Sequence, residues 1–549
     1  MRKAICTALA ASLTFGGATM AQESKPLSAQ ASNPVTMGWM QGFPPAADKT
    51  IRFTDPDYFA FPKLRWTVCH FRELMPSTGV NNGSGKVSPL PADIDAGINA
   101  VEFTPLDGGD PMTWDAAFDT NYTDGILVLH KGRIVYERYD GCLDENTLHG
   151  AMSVTKSLTG LMAEVLVAEG KLDETAPIAD IIPELAGSAF GDATVQQVLE
   201  MTTALDYSED YSDPDAEVWT YAEAGSPLPK PEGYDGPRSY FEYLQTVQKN
   251  DAEHGDAFGY KTVNSDAAGW LIARTTGVSA AEYLSKRIWS RIGAEREAFY
   301  TVDSIGTPFA GGGFNATLRD LGRFGQLILN EGAWNGEQII PAKAIARIRE
   351  GGSKDTFAKA GYDLLPGWSY RGMWWVSHDD HGSFAARGVH GQTIWIDPTA
   401  DMVIVRFASN PVAGNAASDP TSLPAYRAVA DYLMAQESSP KLSGREWFIE
   451  DIGGKGVIDN SPASLLFLPD GGLAGNASCN RLVASYILDG EALSIGMAGT
   501  TMMMCAPALM EQEARLMEAL STVEGYTIDK TGALLLSATD GVVITARRR

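Results

Sequence analysis

The sequence predicts a large α/β or α+β domain followed by a second, smaller one. Three observations predict it. Strand hairpins stand at both ends of a mostly helical segment, so one sheet is assembled from distant parts of the chain. A polar stretch, residues 437–445 (Glu-Ser-Ser-Pro-Lys-Leu-Ser-Gly-Arg), interrupts the chain, and short strand-like runs replace the earlier pattern after it. With 549 residues the chain also exceeds one ordinary domain.

In chain order, residues 1–21 read as a secretory signal. Arg2 and Lys3 form the charged start, Ala4 to Thr14 is apolar, and Thr19-Met20-Ala21 supplies small residues for cleavage. Residues 22–100 are rich in Pro, Gly, Asn and Ser and are expected to form an irregular arm. The first domain is assigned to residues 101–436. Its opening hairpin is Ile126–Leu129, a turn at Lys131-Gly132, and Ile134–Tyr136. Leu158, Leu161, Met162, Val165 and Leu166 follow helical spacing, and Gly170 is placed to end that helix. Helices and loops continue to about residue 350. A second hairpin is expected at Thr393–Ile396 and Met402–Phe407, turning at Asp397-Pro398-Thr399. A helix from Pro424 to Met434 then closes the unit. After the linker, residues 446–549 carry strand-like runs at Leu465–Leu468, Ser485–Ile487 and Val542–Ile544, and an amphipathic helix at Leu509–Leu520.

Composition excludes several classes of partner. The net charge of −26 becomes −28 once Arg2 and Lys3 leave with the signal, which argues against nucleic acid or an anionic membrane. No run reaches the roughly 18 apolar residues needed to span a bilayer. The expected protein is periplasmic or secreted, with no membrane span. Four cysteines remain after the signal: Cys69, Cys142, Cys479 and Cys505. Proximity favours the pairs Cys479–Cys505 and Cys69–Cys142, although four cysteines permit three connectivities.

The chemistry centres on Ser153-Val154-Thr155-Lys156. A serine hydroxyl is a poor nucleophile until a base reaches it, and residues three apart on a helix share a face. Lys156 can therefore stand beside Ser153, with Ser153 at the helix N-terminus where negative charge is favoured. Ser-x-x-Lys occurs about once by chance in a chain of this length. A second copy, Ser438 to Lys441, has an internal proline and belongs to the linker. Ser153 as a plain helix cap with an exposed lysine is the competing reading. About a hundred residues on, Phe258-Gly259-Tyr260 offers a phenol, which works as a base only if a cation such as Lys156 lowers its pKa. Ala386-Arg387-Gly388-Val389-His390-Gly391-Gln392 reads as a small-residue edge strand. Its Val389 N–H, with that of Ser153, would form an oxyanion hole.

These three stretches together resemble the serine β-lactamase and penicillin-binding-protein superfamily, in its class C-like and esterase branch, and most closely the 6-aminohexanoate-dimer hydrolases. The likeness runs from about Phe61 to Ala435. It also includes Asp206-Tyr207-Ser208-Glu209-Asp210-Tyr211 and Trp374-Trp375. It implies a β-lactamase/transpeptidase-like domain, an antiparallel sheet flanked by helices plus a helical subdomain. It implies an acyl-enzyme on Ser153, with Lys156 and Tyr260 relaying the proton and no cofactor. The residue matching Tyr211 closes over substrate in that family, and Trp374 and His390 match positions near its pocket. Two of its polar substrate-binding positions match Ala222 and Gly311 here.

The departures matter. Ala386-Arg387-Gly388 stands where penicillin-recognising enzymes carry Lys-Thr-Gly, and strand alternation is expected to turn Arg387 away from the site. Thr262 replaces the asparagine usual after the class C tyrosine. The expected substrate is therefore a small-molecule amide or ester rather than a β-lactam. A D-Ala-D-Ala peptidase or β-lactamase, and an idle binding or sensor protein on the same fold, are the alternatives.

The second domain resembles the META/HslJ domain through Gly475-Asn476-Ala477-Ser478-Cys479-Asn480-Arg481, Thr500 to Cys505, and Glu511-x-Glu513 leading into Leu516 and Leu520. That likeness supports the Cys479–Cys505 pair and allows an envelope component as partner. Two other chemistries find little support. His378-Asp379-Asp380-His381 lacks a third histidine at suitable spacing, so no metal site is assigned and solvation is expected. No Gly-x-Ser-x-Gly elbow of an α/β-hydrolase is present.

Overall fold

Apolar runs such as Ile126–Leu129 and Thr393–Ile396 are buried on both faces, and they form the centre of an antiparallel sheet. The computed structural model describes residues 25–210, 213–438, 442–444, 446–468, 470–529 and 531–548. The proposed signal, Tyr211, and linker residues 439–441 and 445 lie outside them. The chain divides into two units, Met1–Tyr432 and Leu433–Arg549.

In the first unit, strands β1 (Thr123–His130) and β2 (Arg133–Tyr139) form the opening hairpin. Lys131 (φ 52°) and Gly132 (φ 71°) make its left-handed two-residue turn. Helices α1 (Val154–Ala168), α2 (Val263–Thr276) and α3 (Leu318–Leu329) follow. The chain then returns through β3 (Ser369–Arg371), β4 (Trp374–Val376), β5 (Phe384–Gly388), β6 (Gln392–Asp397) and β7 (Met402–Ala408). The sheet order is β3-β4-β5-β6-β7-β1-β2, so the two distant hairpins meet where β7 pairs with β1. α3 covers β1, β6 and β7, while α1 packs against α2 and β5. Leu158, Leu161, Met162, Val165 and Leu166 of α1 are all fully buried. A methyl group on Gly160 would come within 1.9 Å of the Gly372 carbonyl oxygen, so the missing side chain sets how closely α1 approaches the β3–β4 turn.

The final helix, α4 (Asp419–Ser438), starts five residues before the expected Pro424. A proline inside a helix leaves the carbonyl four residues earlier without its donor. Here that carbonyl, Pro420, accepts the Leu106 N–H at 2.9 Å, so the interruption is satisfied from outside the helix.

The N-terminal arm is less irregular than its composition suggests. It contains short helices at Leu64–Thr67 and Phe71–Leu74 and a strand at Ser77–Val80. Arg65 ties it to the sheet: the guanidinium is fully buried and donates to Asp124 on β1 at 2.9 Å. The Cys69–Cys142 disulfide makes a second tie, closing a loop of 73 residues.

The second unit is built from β8 (Glu446–Ile452), β9 (Ser464–Phe467), β10 (Gly472–Asn476), β11 (Arg481–Asp489), β12 (Ala492–Ile495), β13 (Gly499–Thr500), helix α5 (Pro507–Ser521), β14 (Gly525–Ile528), β15 (Leu534–Ala538) and β16 (Gly541–Arg547). The order is β10-β9-β8-β16-β15-β14-β12-β11-β13, and β11 also pairs with β10, which closes a small barrel. Trp447, Phe467, Leu534 and Ile544 fill it together with Leu516 and Leu520 of α5. Cys479 and Cys505 form the second disulfide. Among the described residues no helix is long and apolar enough to cross a membrane.

Candidate active site

The turn before α1 places Ser153. His149-Gly150 pairs with Phe314–Ala316, the Ala151 N–H donates to the Phe314 carbonyl at 2.8 Å, and Met152 adopts a left-handed backbone (φ 46°). Ser153 occupies the N-cap position of α1, but its side chain caps nothing. The Lys156 Nζ donates to Ser153 Oγ at 2.9 Å and to the Gly311 carbonyl at 2.7 Å. The reading of Ser153 as a plain cap with an exposed lysine is therefore wrong, because Lys156 is 1 % exposed.

Tyr260 enters from the loop before α2. Its phenol lies against the Ser153 hydroxyl, and its ring stands 5.1 Å from the Lys156 nitrogen. The three expected side chains thus converge. Their electrostatics differ from the sequence reading in one respect. Burial lowers Lys156 to about pKa 8, against the pull of Glu209 and Asp266, which raise it. Burial pushes Tyr260 up, and the neighbouring Ser153 hydroxyl only partly offsets that. Lys156 is tuned toward a neutral amine, while Tyr260 holds its proton instead of becoming a phenolate.

Strand β5 is not an edge strand along its whole length. β4 covers Phe384 and Ala385, whereas Ala386, Arg387 and Gly388 pair only with β6 and leave their other side open to the site. Gly388 is required there, since a Cβ on it would lie 2.9 Å from the Ser153 nitrogen. This close approach brings the backbone leading to Val389 against the Ser153 N–H. Arg387 is not turned away either. It lines the cleft beside Tyr260, with its guanidinium 5.1 Å from the Trp375 ring and bonded to Asp419 at the start of α4.

The other expected positions resolve as follows. Gly311 lines the site and holds Lys156 through its carbonyl, and a Cβ there would strike Thr262 Cγ2 at 2.4 Å. Trp374 is fully buried and donates to the Ser157 carbonyl at 2.9 Å, so it is a core residue. Its neighbour Trp375 lines the cleft and packs 5.6 Å from the Tyr260 ring. His390 lines neither cavity of the site. It is buried against Phe59 and bonded to the Asn410 carbonyl at 2.7 Å, and burial lowers its pKa. His381 binds Asp397 at 2.6 Å, His378 binds Ser369 at 2.7 Å, and Asp380 binds Arg427 at 2.6 Å. That loop is held by protein partners and not simply solvated.

Two carboxylates were given no role in the sequence reading, although Glu209 lies in one of its matching stretches. Glu209 accepts the N–H and hydroxyl of Thr262, two residues after Tyr260, and lines both cavities that meet at Ser153. Asp266 is 3 % exposed and accepts the Tyr221 hydroxyl and the Ala310 N–H. Burial raises it to about pKa 7. Its signal was available: Asp266 falls three residues after Val263 and four before Trp270, on the buried stripe of α2.

Comparison with known proteins places this geometry in context. The β-lactamase family profile matches residues 121–424, and the META domain profile matches residues 440–549. A 6-aminohexanoate-dimer hydrolase of Paenarthrobacter ureafaciens is 33 % identical over 351 residues, covering 64 % of this chain and 86 % of that protein. A lovastatin esterase of Penicillium rubens is 25 % identical over 261 residues, covering 39 % of this chain and 62 % of that protein. A solved structure from Bacillus anthracis, assigned as a 6-aminohexanoate-dimer hydrolase, superposes with a TM-score of 0.61 at 32 % identity. It covers 70 % of this chain and 97 % of that one.

Proposed function

The chain belongs to the β-lactamase family of serine hydrolases, and from that premise we propose that it is an exported enzyme cleaving amide or ester bonds of small molecules through an acyl-enzyme on Ser153. The observation that carries the proposal is the hydrogen bond from a buried, pKa-lowered Lys156 to Ser153 Oγ at 2.9 Å. The neutral amine accepts the Ser153 proton as Oγ attacks the carbonyl carbon. The Ser153 and Val389 N–H groups, brought together across Gly388, receive the carbonyl oxygen as it becomes an oxyanion. Tyr260 donates its proton to the departing nitrogen or oxygen and regains one from the Lys156 ammonium. Water then attacks the acyl-enzyme, giving up its proton along the same groups and releasing the acid. Export is supported by the charged-then-apolar start of the chain and by two disulfides, which persist in oxidising compartments.

A fluorophosphonate probe tests the proposal. Peptide mapping should find the label on Ser153 of the folded protein, with ester turnover lost in proportion. Folded protein that takes up no label would overturn it.

The pH profile supplies a further test. With Lys156 near pKa 8 as the base, kcat/KM should rise as pH climbs through about 8 and then level off. The Asp266 carboxylate raises Lys156, so Asp266→Asn should move that rising limb to lower pH. A limb that stays in place would make Asp266 a purely structural residue.

A further inference from the structure

Ser153, Glu209 and Val389 line two cavities at once, and the two differ in character. The first, of about 330 Å³, is walled by aromatic rings that include Phe53, Tyr58, Phe59, Trp219, Tyr240 and Phe309. The second, of about 510 Å³, is walled by Tyr260, Arg387, Asp363, Asp419 and Asn415 together with Tyr362 and Trp375. Resting on the acyl-enzyme reading above, we infer that the aromatic cavity receives the acyl half of the substrate and selects uncharged aryl or bulky alkyl acyl groups.

Proton delivery fixes the orientation. The leaving atom must reach the Tyr260 hydroxyl, and Tyr260 lines only the polar cleft. The leaving group therefore occupies that cleft, and the acyl chain, on the other side of the same carbonyl carbon, enters the aromatic cavity. Size follows from volume: 330 Å³ is many times the roughly 30 Å³ that one water occupies in the liquid, so the cavity admits a group of many non-hydrogen atoms. An acetyl group would leave most of it unfilled.

Charge follows from the lining residues. Lys156 is the cation on this wall, and it is committed to Ser153 and Gly311, while Glu209 stands at the shared mouth. A carboxylate on the acyl chain would lose its hydration and meet a like charge. Ring packing completes the picture. Phe53 lies 5.1 Å from Tyr58, and Tyr240 stacks on Phe309 at 5.3 Å, which presents the flat and edge surfaces that aromatic guests favour. Phe53, Tyr58 and Phe59 come from the N-terminal arm, so this part of the wall lies ahead of residues 121–424 matched by the family profile.

The test uses the full-length protein and a constant leaving group. p-Nitrophenyl acetate, 3-phenylpropionate and hemisuccinate are compared by kcat/KM, each divided by its hydroxide-catalysed rate. The 3-phenylpropionate should exceed the acetate by about tenfold or more, and the hemisuccinate should fall below the acetate. In Phe53→Ala/Phe59→Ala the aryl-to-acetyl ratio should drop at least threefold, with Ser153 fluorophosphonate labelling used to confirm a folded site. Acetate or hemisuccinate preferred by the wild-type enzyme would overturn the acyl assignment while leaving the Ser153 hydrolase intact. No turnover of any ester, with no label on Ser153, would overturn both. If the double variant does not fold, the wild-type series still decides the question.

Discussion

Ser153→Ala should lower turnover of any ester or amide substrate by on the order of 10⁴-fold or more, to the level that binding and the oxyanion site alone sustain. Stability should hardly change. The hydroxyl caps no backbone group, its hydrogen-bond partner is Lys156 with Tyr260 beside it, and the residue sits at the helix N-cap without side-chain capping. Loss of activity with an unshifted melting temperature is the expected pair of results. A variant that keeps wild-type rates would end the proposal. A variant that unfolds would show that Ser153 has a structural task the geometry does not suggest.

Lys156→Met should cost about 10²–10⁴-fold in kcat/KM, the usual worth of a positioned general base. Methionine keeps most of the lysine volume in a site that is 1 % exposed, so the change removes the amine rather than the packing. The variant should also lose the rising limb near pH 8. The sign of the linked stability effect follows from the two pKa values. Lys156 titrates at about 8 when folded and at its ordinary 10.5 when unfolded, so between those values the unfolded chain holds the extra proton. Raising pH from 8 to 10.5 therefore favours the folded wild type through this group, and Lys156→Met should lack that component. Matching pH profiles in the two proteins, measured by activity and by thermal melts, would rule out Lys156 as the base.

Much of this site is legible in the sequence because local geometry fixes it. A serine and a lysine three apart at the start of an apolar 3.6-residue pattern must share a face, and they do. The two hairpins are equally local, set by Lys131-Gly132 and Asp397-Pro398-Thr399. What escapes is whatever depends on distant packing. Trp374 and Trp375 are adjacent, and only the register of β4 against β5 decides which one enters the core. Arg387 reaches the cleft because β4 stops covering β5 after Ala385, a property of two strands and not of one. The pKa order of Lys156 and Tyr260 reverses the sequence expectation because desolvation dominates both, and burial of that kind is set by residues far apart in the chain. The early start of α4 depends on Leu106, some three hundred residues upstream.

That last feature reaches beyond its own helix. The bond from Leu106 to Pro420 anchors the first turn of α4, and the residue just ahead of Pro420 is Asp419, the counter-ion of Arg387. A proline that cannot complete a helix thus hands its vacant acceptor to a remote loop, in the same helical turn that carries the carboxylate paired with the Arg387 guanidinium beside Tyr260. Loss of the Leu106–Pro420 bond would therefore free the turn that presents Asp419 to Arg387.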